Sequence, residues 1–255
     1  MFASEVTDMK INDQVVMVTG ANRGLGEALV RAALSAGARK VYAAARDPRA
    51  LETAVARGEG RVVPVALDVT DLATVTAAAQ RAADVSVLIN NAGVLASYGV
   101  LAASEADLAR DFAVNAFGML AVSRAFAPAL EAAARSGRGG ALVNVLSIAS
   151  LMSLPALGGY SASKAAAHSL TQALRYELAK KGVAVHAVLA GAIDTDMVRH
   201  MEMPKTSADD VARAIVEGVE AGSDDIYPDP GSRAMFEVYK GDPKALERQM
   251  AAMSG

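Results

Sequence analysis

Short apolar runs alternate along the chain with longer stretches in which apolar residues recur at helical spacing. The short runs are apolar at nearly every position, which is typical of strands that are buried on both faces of a sheet. They predict strands at Val15–Thr19, Val41–Ala45, Val62–Ala66, Val85–Asn90, Ala141–Leu146, Val183–Leu189 and Ile226–Tyr227. The periodic stretches predict helices at Leu25–Ala36, Thr74–Ala83, Glu105–Ala113, Phe117–Ala134, Tyr160–Lys180 and Ala208–Glu220.

This alternation predicts an α/β fold, a doubly wound (Rossmann-like), mostly parallel sheet with helices on both faces. Because no linker or repeat divides the chain, we expect a single domain over residues 1–255. The C-terminal tail, 229–255, carries spaced apolar residues and is interpreted as a helix that covers either the site or a neighbouring molecule. In such a sheet, ligands bind beyond the carboxyl ends of the strands.

Composition narrows the class of protein. The net charge of −3, without a cluster of Lys or Arg, argues against nucleic acid or an anionic membrane as a partner. There are no cysteines, and His168, His186 and His200 are spaced unlike metal ligands, so we predict no metal. Residues 1–13 lack the apolar core of a signal peptide, and no apolar run is long enough for a membrane span. We therefore expect a soluble, cytoplasmic protein.

A glycine-rich loop follows the first strand and precedes the first helix. Its three glycines, Gly20, Gly24 and Gly26, permit a tight turn, a close approach of the backbone to a pyrophosphate, and close packing of the helix. The N-terminus of that helix offers free N–H groups to the phosphates. The spacing is G-x-x-x-G-x-G rather than the commoner G-x-G-x-x-G, and a turn without a ligand is the alternative.

The end of the second strand indicates which dinucleotide would bind. A site that prefers NAD carries an acid here, whereas this chain has Ala45 followed by Arg46. Arg46, together with Arg23 in the glycine loop, is suited to a 2′-phosphate, which predicts NADP(H) as the cofactor. Asp47 and Pro48 are interpreted as a turn that starts the next helix.

Candidate catalytic residues follow the fifth strand. Tyr160 and Lys164 stand at i and i+4 and share one helix face. A phenol normally ionises near pH ~10, and a neighbouring ammonium favours the phenolate, so we expect Lys164 to lower the pKa of Tyr160. Tyr160 would then exchange a proton with a carbonyl or alcohol oxygen, which Ser147 would also bind by a hydrogen bond.

The same spacing recurs further along the chain. Tyr176 and Lys180 repeat it, and Ser163 lies thirteen positions before Tyr176, as Ser147 does before Tyr160. Because Ser163 and Tyr176 lie on one predicted helix, they are about 20 Å apart along its axis and cannot contact the same atom. We therefore assign the site to Ser147, Tyr160 and Lys164.

With these motifs, the chain resembles the short-chain dehydrogenase/reductase family from Val15 to about Tyr227. The resemblance implies that Asn115 holds a water in a proton relay, that Asp68 and Val69 contact the adenine, and that Lys164 also binds the nicotinamide ribose. After the sixth strand the family usually has Pro-Gly, whereas Ala190 replaces the proline here. The motifs and the resemblance together assign to the cofactor Gly20, Asn22, Arg23, Gly24, Leu25, Gly26, Arg46, Asp68, Val69, Asn90, Ala92, Gly93, Tyr160, Lys164, Gly191, Ile193 and Thr195.

The predicted function is reversible NADPH-dependent reduction of a ketone or aldehyde. The methionine-rich segment Thr195–Thr206 is suited to an apolar substrate, with Met152, Leu154, Leu95 and Tyr98 as the other wall. The alternative is that these side chains are packing residues of a closed loop. The resemblance also implies a homodimer or homotetramer formed through the helices Phe117–Ala134 and Tyr160–Lys180. Two alternatives are a catalytically idle NADP(H)-sensing protein and a nucleotide-sugar epimerase or dehydratase, although the chain leaves little room for the added domain of the latter.

Overall fold

The computed structural model describes residues 9–252. Its main sheet has seven strands in the order β3-β2-β1-β4-β5-β6-β9, and every neighbouring pair is parallel. A separate parallel pair is formed by β7 and β8. The strands are β1 Val15–Thr19, β2 Lys40–Ala45, β3 Val62–Ala66, β4 Val87–Asn90, β5 Gly140–Val145, β6 Val183–Val188, β7 Ile193–Asp194, β8 Thr206–Ser207 and β9 Asp225–Ile226.

The α-helices lie on both faces of this sheet. They are α1 Gly24–Ser35, α2 Glu52–Arg57, α3 Leu72–Arg81, α4 Glu105–Phe112, α5 Met119–Arg135, α6 Gly158–Ala179, α7 Ala208–Glu220, α8 Pro230–Gly241 and α9 Pro243–Ala252. The predicted doubly wound fold is confirmed. The sequence pattern did not define α2, and the tail holds two helices, α8 and α9, instead of one.

Two apolar layers hold the helices to the sheet. Along β1, Val16 and Val18 face one layer, which also contains residues of α1 and α7 such as Leu29 and Ile215. Val15 and Met17 face the other layer, with residues of α3, α5 and α6. Every position of β1 is buried, and its first four residues are apolar, as the sequence indicated.

The sheet order places a switch point between β1 and β4. The chain winds outward from β1 through β2 to β3 and then returns to β4 on the other side of β1. At such a point the loops after the two neighbouring strands leave in opposite directions and open a crevice at the carboxyl edge. The glycine loop after β1 and the Asn91–Gly93 loop after β4 meet there.

The helix predicted to break near residue 115 is continuous. It runs from α4 into α5 through a π-helical segment, Ala113–Gly118. The sequence here contains no proline, and Gly118 packs so closely on Val69 that an added Cβ would lie 2.7 Å from a Val69 methyl carbon. Such π segments frequently occur at functional sites because they rotate one side chain out of the regular helical register.

By length and composition alone, the continuous helix Glu105–Arg135 could span a membrane. A core helix of a globular fold has the same character, and 44% of the most apolar stretch is buried inside this fold. By length and composition, this helix contradicts the expectation that no apolar stretch is long enough for a membrane span.

Candidate active site

A cavity of about 590 Å³ lies at the carboxyl edge of the sheet. It extends from the glycine loop past the ends of β2 and β3 to Ser147, Tyr160 and Lys164. The predicted site residues that line it are Gly20, Asn22, Arg23, Gly24, Leu25, Gly26, Arg46, Asp68, Val69, Ala92, Gly93, Ser147, Tyr160, Lys164, Gly191, Ile193 and Thr195. The fold thus brings the two separate motifs into one crevice.

The glycine loop is shaped by close contacts that leave no room for side chains. A Cβ at Gly26 would lie 2.0 Å from the carbonyl oxygen of Gly20, whose φ of +65° also favours glycine. The Asn91 amide donates to the carbonyl oxygens of Thr19 (2.9 Å) and Gly20 (3.2 Å) and so fixes the loop to the end of β4. The resemblance includes Asn91 in the run Asn90-Asn91-Ala92-Gly93, but this residue was not assigned to the cofactor.

The N-terminus of α1 is suited to a phosphate. Its N-cap residue, Arg23, makes no side-chain hydrogen bond to the first turn, so the N–H groups of that turn have no side-chain cap. These groups lie where Gly24, Leu25 and Gly26 line the cavity. An uncapped helix N-terminus with a positive dipole is a binding site for anions.

The two arginines assigned to the 2′-phosphate are placed differently. Arg46 is exposed at the end of β2 and lines the cavity, close enough to Asp68 to help hold the pKa of that carboxyl below its usual value. The main cause of that lowered pKa is hydrogen bonding from Thr70. The Arg23 guanidinium instead pairs with Asp196 at 3.6 Å, although its side chain is 70% exposed. Of these two arginines, Arg23 has an ion pair and Arg46 has none with any carboxylate among residues 9–252.

Asp47 does not oppose a phosphate here. Its carboxylate accepts hydrogen bonds from the backbone N–H and the guanidinium of Arg49 at 2.8–3.2 Å. It caps the 3₁₀ turn Pro48–Leu51, which leads into α2. The interpretation of Asp47 and Pro48 as the start of a helix is confirmed.

The catalytic candidates meet at the start of α6. Tyr160 and Lys164 lie one turn apart, with the Lys164 Nζ 5.9 Å from the centre of the Tyr160 ring. The Lys164 ammonium is buried and donates to the carbonyl oxygen of Val145, at 2.9 Å, at the end of β5. Ser147 follows that strand, and its Oγ accepts from the Ala149 N–H and donates to the Ala190 carbonyl oxygen.

Burial dominates the electrostatics of this pair. It raises the pKa of Tyr160 to about 12, against an opposing interaction with the Ser147 hydroxyl. It lowers the pKa of Lys164 to about 8. The expected lowering of the Tyr160 pKa by Lys164 does not appear in this state of the chain, because burial shifts the pKa in the opposite direction. The ammonium lies over the ring and bonds a backbone carbonyl, while the removal of water disfavours the phenolate.

Asn115 lies in the π-helical segment, behind Tyr160 and Lys164. Its side chain is buried and bonds Val94 twice, accepting from the N–H (2.9 Å) and donating to the carbonyl oxygen (2.8 Å). It also donates to the Ser163 hydroxyl at 3.0 Å, and Ser163 donates to the Tyr160 carbonyl oxygen. Asn115 thus ties the loop after β4 to the first turns of α6. It does not line the cavity.

Asn90 occupies a structural position. Its amide donates to Asn144 and to Ser123, both at 2.9 Å, and Asn144 in turn donates to Thr171. This buried polar network joins β4 and β5 to α5 and α6 beneath the cavity. Asn90 is not among the residues that line the cavity, so its assignment to the cofactor stays a prediction.

The alternative tyrosine lies away from the site. Tyr176 is 74% exposed and does not line the cavity, whereas Ser163 is fully buried beneath Tyr160. The choice between the two spacings, made from helix geometry, agrees with these positions. Within residues 9–252, no group of three potential metal-ligating side chains occurs.

The methionine-rich segment forms a strap across the cavity. Its ends are fixed by β7 and β8, which pair Ile193 with Thr206 and Asp194 with Ser207. Met197 and Val198 from this strap line the cavity. The other candidates, Leu95, Tyr98, Met152, Leu154, Met201 and Met203, lie outside that lining, although Tyr98 contacts His200 of the strap at 3.3 Å.

The C-terminal helix α8 is hydrogen-bonded to the loop after β6, which lines the cavity. The buried carboxylate of Asp229 caps α8 by accepting from the Ser232 N–H (2.8 Å) and also accepts from the Gly191 N–H (2.7 Å). Phe236 of α8 stacks on Tyr227 with ring centres 4.1 Å apart. Nothing in the sequence connects Asp229 to Gly191, and the available signal was only that Asp229 followed by Pro230 is typical of a helix start.

Comparison with known proteins gives consistent matches. Residues 14–205 match the family model described as short chain dehydrogenase. A galactitol 2-dehydrogenase (L-tagatose-forming) of Cereibacter sphaeroides is 37% identical over 205 residues, 76% of this chain and 77% of that protein.

Solved structures agree over almost the whole chain. A short chain dehydrogenase of Burkholderia cenocepacia J2315, in complex with NADP, is 41% identical with a TM-score of 0.88, covering 95% of this chain and 99% of that one. A short chain dehydrogenase/reductase of Burkholderia phymatum, in complex with NAD, is 27% identical with a TM-score of 0.83, covering 93% and 96%.

Proposed function

The chain belongs to the short-chain dehydrogenase/reductase family of oxidoreductases, which act on alcohol and carbonyl groups. From this premise we propose that it catalyses the NADPH-dependent reduction of an apolar ketone or aldehyde. One observation carries the proposal. Ser147, Tyr160 and Lys164 line the same cavity as the glycine loop and the uncapped N-terminus of α1.

The residues present fit a nicotinamide dinucleotide. Gly20, Gly24 and Gly26 would hold the pyrophosphate against α1, and Asp68 and Val69 would contact the adenine. Arg46 supports the choice of NADP(H), because it is exposed at the cavity and no acid precedes it. The solved NADP complex of the Burkholderia cenocepacia relative supports the same choice.

Tyr160 is the proposed proton donor. When bound, the nicotinamide ring would supply or accept a hydride at the substrate carbon. Tyr160, held at the start of α6, would donate its phenolic proton to the carbonyl oxygen, and Ser147 would bind the same oxygen through its hydroxyl. Lys164 would stabilise the phenolate left behind, and Asn115 holds the neighbouring loop in place.

The favoured direction follows from the protonation states. With a pKa of about 12, Tyr160 keeps its proton at neutral pH and is ready to act as an acid. With a pKa of about 8, Lys164 is mostly an ammonium at the same pH. An acid and a neighbouring cation are what reduction of a carbonyl requires, so we propose reduction as the favoured direction at neutral pH.

The substrate is proposed to be apolar. Val94, Met197 and Val198 line the cavity that also holds Tyr160, and flexible thioethers adapt to varied apolar shapes. This would distinguish the chain from its polyol-oxidising relative, whose substrate is rich in hydroxyl groups.

A homodimer or homotetramer is proposed for the active protein. Phe117 and Tyr176 are large and exposed on the two long helices expected to form the contact. Light scattering of the purified protein would show a monomer if this proposal is wrong.

Initial rates with NADPH and NADH, across apolar ketones, aldehydes and polyols, test the function. We expect NADPH to be preferred and apolar carbonyls to be the better substrates.

The variant Arg46→Ala tests the role of Arg46. It should lower kcat/KM for NADPH by about 10- to 100-fold, because a charge-assisted hydrogen bond is lost, and should leave kcat/KM for NADH unaffected. Exposed Arg57, lying outside the main cavity on α2, supplies the control variant Arg57→Ala. Equal use of both cofactors by the wild type would contradict the NADP assignment.

A further inference from the structure

A buried acid that the proposed chemistry does not use lies on α4, one turn before Asn115. Asp111 is fully buried, and both of its carboxylate oxygens accept hydrogen bonds. Oδ1 accepts from the Ala96 N–H (2.9 Å), and Oδ2 accepts from the N–H (3.1 Å) and the hydroxyl (2.5 Å) of Ser97. Because all three contacts use the carboxyl as an acceptor, they suit its ionised form.

The loop that Asp111 holds packs directly on the catalytic helix. Ser97 lies so close to Gly159 that a Cβ there would come within 2.3 Å of the Ser97 Oγ. Gly159 immediately precedes Tyr160. One helical turn after Asp111, Asn115 holds Val94 by two further hydrogen bonds. Two side chains of the same helix therefore fix the Val94–Ser97 loop against the turn that carries the tyrosine.

A buried carboxylate is costly unless hydrogen bonds compensate it, and the Ala96 N–H and the N–H and hydroxyl of Ser97 do so for Asp111. The charged side chains that line the cavity are Arg23, Arg46, Asp68, Arg110, Lys164 and Asp196. The negative charge of Asp111 raises the pKa of both Tyr160 and Lys164, although burial has the larger effect on each.

We propose that Asp111 is a positioning residue of the active site, whose buried carboxylate fixes the Val94–Ser97 loop against the turn that carries Tyr160 and supplies a negative charge to the site. This inference rests on the proposed reductase activity for its kinetic consequences. The charge on Lys164 is open to direct measurement without turnover.

Asp111→Asn tests the charge because the amide has nearly the same shape. NMR titration of the Lys164 side chain, with ¹³C-labelled lysine and the resonance assigned through Lys164→Arg, gives its midpoint in the free protein. We expect the midpoint to fall by at least about half a pH unit in Asp111→Asn, since a nearby negative charge is removed. An unchanged midpoint would overturn the proposal. If Asp111→Asn does not fold, Asp111→Gln removes the same charge with a longer amide and is judged by the same criterion.

Ser97→Ala tests the positioning separately. It removes one hydrogen bond to the loop and leaves the charge in place, so the Lys164 midpoint should not move. The KM for the carbonyl substrate should rise several-fold in this variant, and an unchanged KM would overturn the positioning role. A shifted midpoint in Asp111→Asn, together with a wild type inactive on every carbonyl, would reject the proposed function and keep the electrostatic role of Asp111.

Discussion

At the scale of single residues, the site is controlled by what burial does to acids and bases. The sequence predicted which groups would meet, because Tyr160 and Lys164 share a helix face and Ser147 ends a neighbouring strand. It did not predict the raised pKa of Tyr160, since that depends on how many atoms exclude water from the phenol. Spacing along a chain carries no information about solvent exclusion.

The protonation states predict opposite pH profiles for the two directions. Reduction needs the phenol and the ammonium, so its kcat should be constant below the Lys164 pKa of about 8 and fall above it. Oxidation needs the phenolate, whose fraction rises about tenfold per pH unit below the Tyr160 pKa of about 12. Stopped assays with a matched ketone and alcohol between pH 6 and pH 10 would measure both profiles. A reduction rate that increases with pH throughout this range would show that the acid is not Tyr160.

Some residues of the site carry no motif at all. Asp111 and Asp229 are single carboxylates whose partners, Ser97 and Gly191, are backbone and hydroxyl groups distant in the chain. Only the folded arrangement shows that each bonds a loop beside the cavity. A buried acid four positions before Asn115, on the same helix face, was the available signal for Asp111.

At the scale of elements, most boundaries were predictable where the pattern was strong. The strands of the main sheet were predicted to within about two residues, because runs apolar at every position end abruptly at turns. The π-helical segment was not predictable, since its register is set by close contacts such as Gly118 on Val69. The short helix α2 was missed because none of its residues is buried, so it shows no apolar periodicity.

The glycine loop and α1 give a sharp steric prediction. In Gly26→Ala the new Cβ would meet the Gly20 carbonyl oxygen, a backbone atom that cannot move aside. We expect NADPH binding to be lost and the free energy of unfolding to fall by about 2 kcal/mol or more. Gly241→Ala is the control, because nothing lies within 4 Å of its added Cβ and alanine favours the helix. NADPH fluorescence and urea unfolding measure both effects, and a Gly26→Ala protein that binds NADPH normally would contradict this account.

At the scale of the whole molecule, the C-terminal helices connect to the cofactor cavity. Asp229 bonds the N–H of Gly191 in the loop after β6, where Ala190 stands in place of the usual proline of the family. The tail therefore supplies a fixed contact to a loop that lacks a rigid residue. The sequence did not predict this role. It left open whether the tail covers the site or a neighbouring molecule.

Asp229→Asn tests this connection. The amide can accept only through one oxygen, so either the Gly191 or the Ser232 N–H loses its partner in a buried position, at about 1–3 kcal/mol. We expect a lower Tm and a several-fold higher Kd for NADPH. The exposed Asp224, whose contact with Arg175 is long at 3.9 Å, provides the control Asp224→Asn, which should change neither value appreciably. Unchanged NADPH affinity in Asp229→Asn would show that the tail does not support the cavity.

The most direct test of the account is the rate of NADPH consumption by Tyr160→Phe beside Tyr176→Phe. Both variants lose one phenolic hydroxyl, but only Tyr160 lies in the cavity, while Tyr176 has the same spacing to a lysine and is exposed. We expect Tyr160→Phe to keep its affinity for NADPH and to lose about 100-fold or more in kcat, and we expect Tyr176→Phe to retain wild-type activity. Wild-type turnover in Tyr160→Phe would show that Tyr160 is not the proton donor.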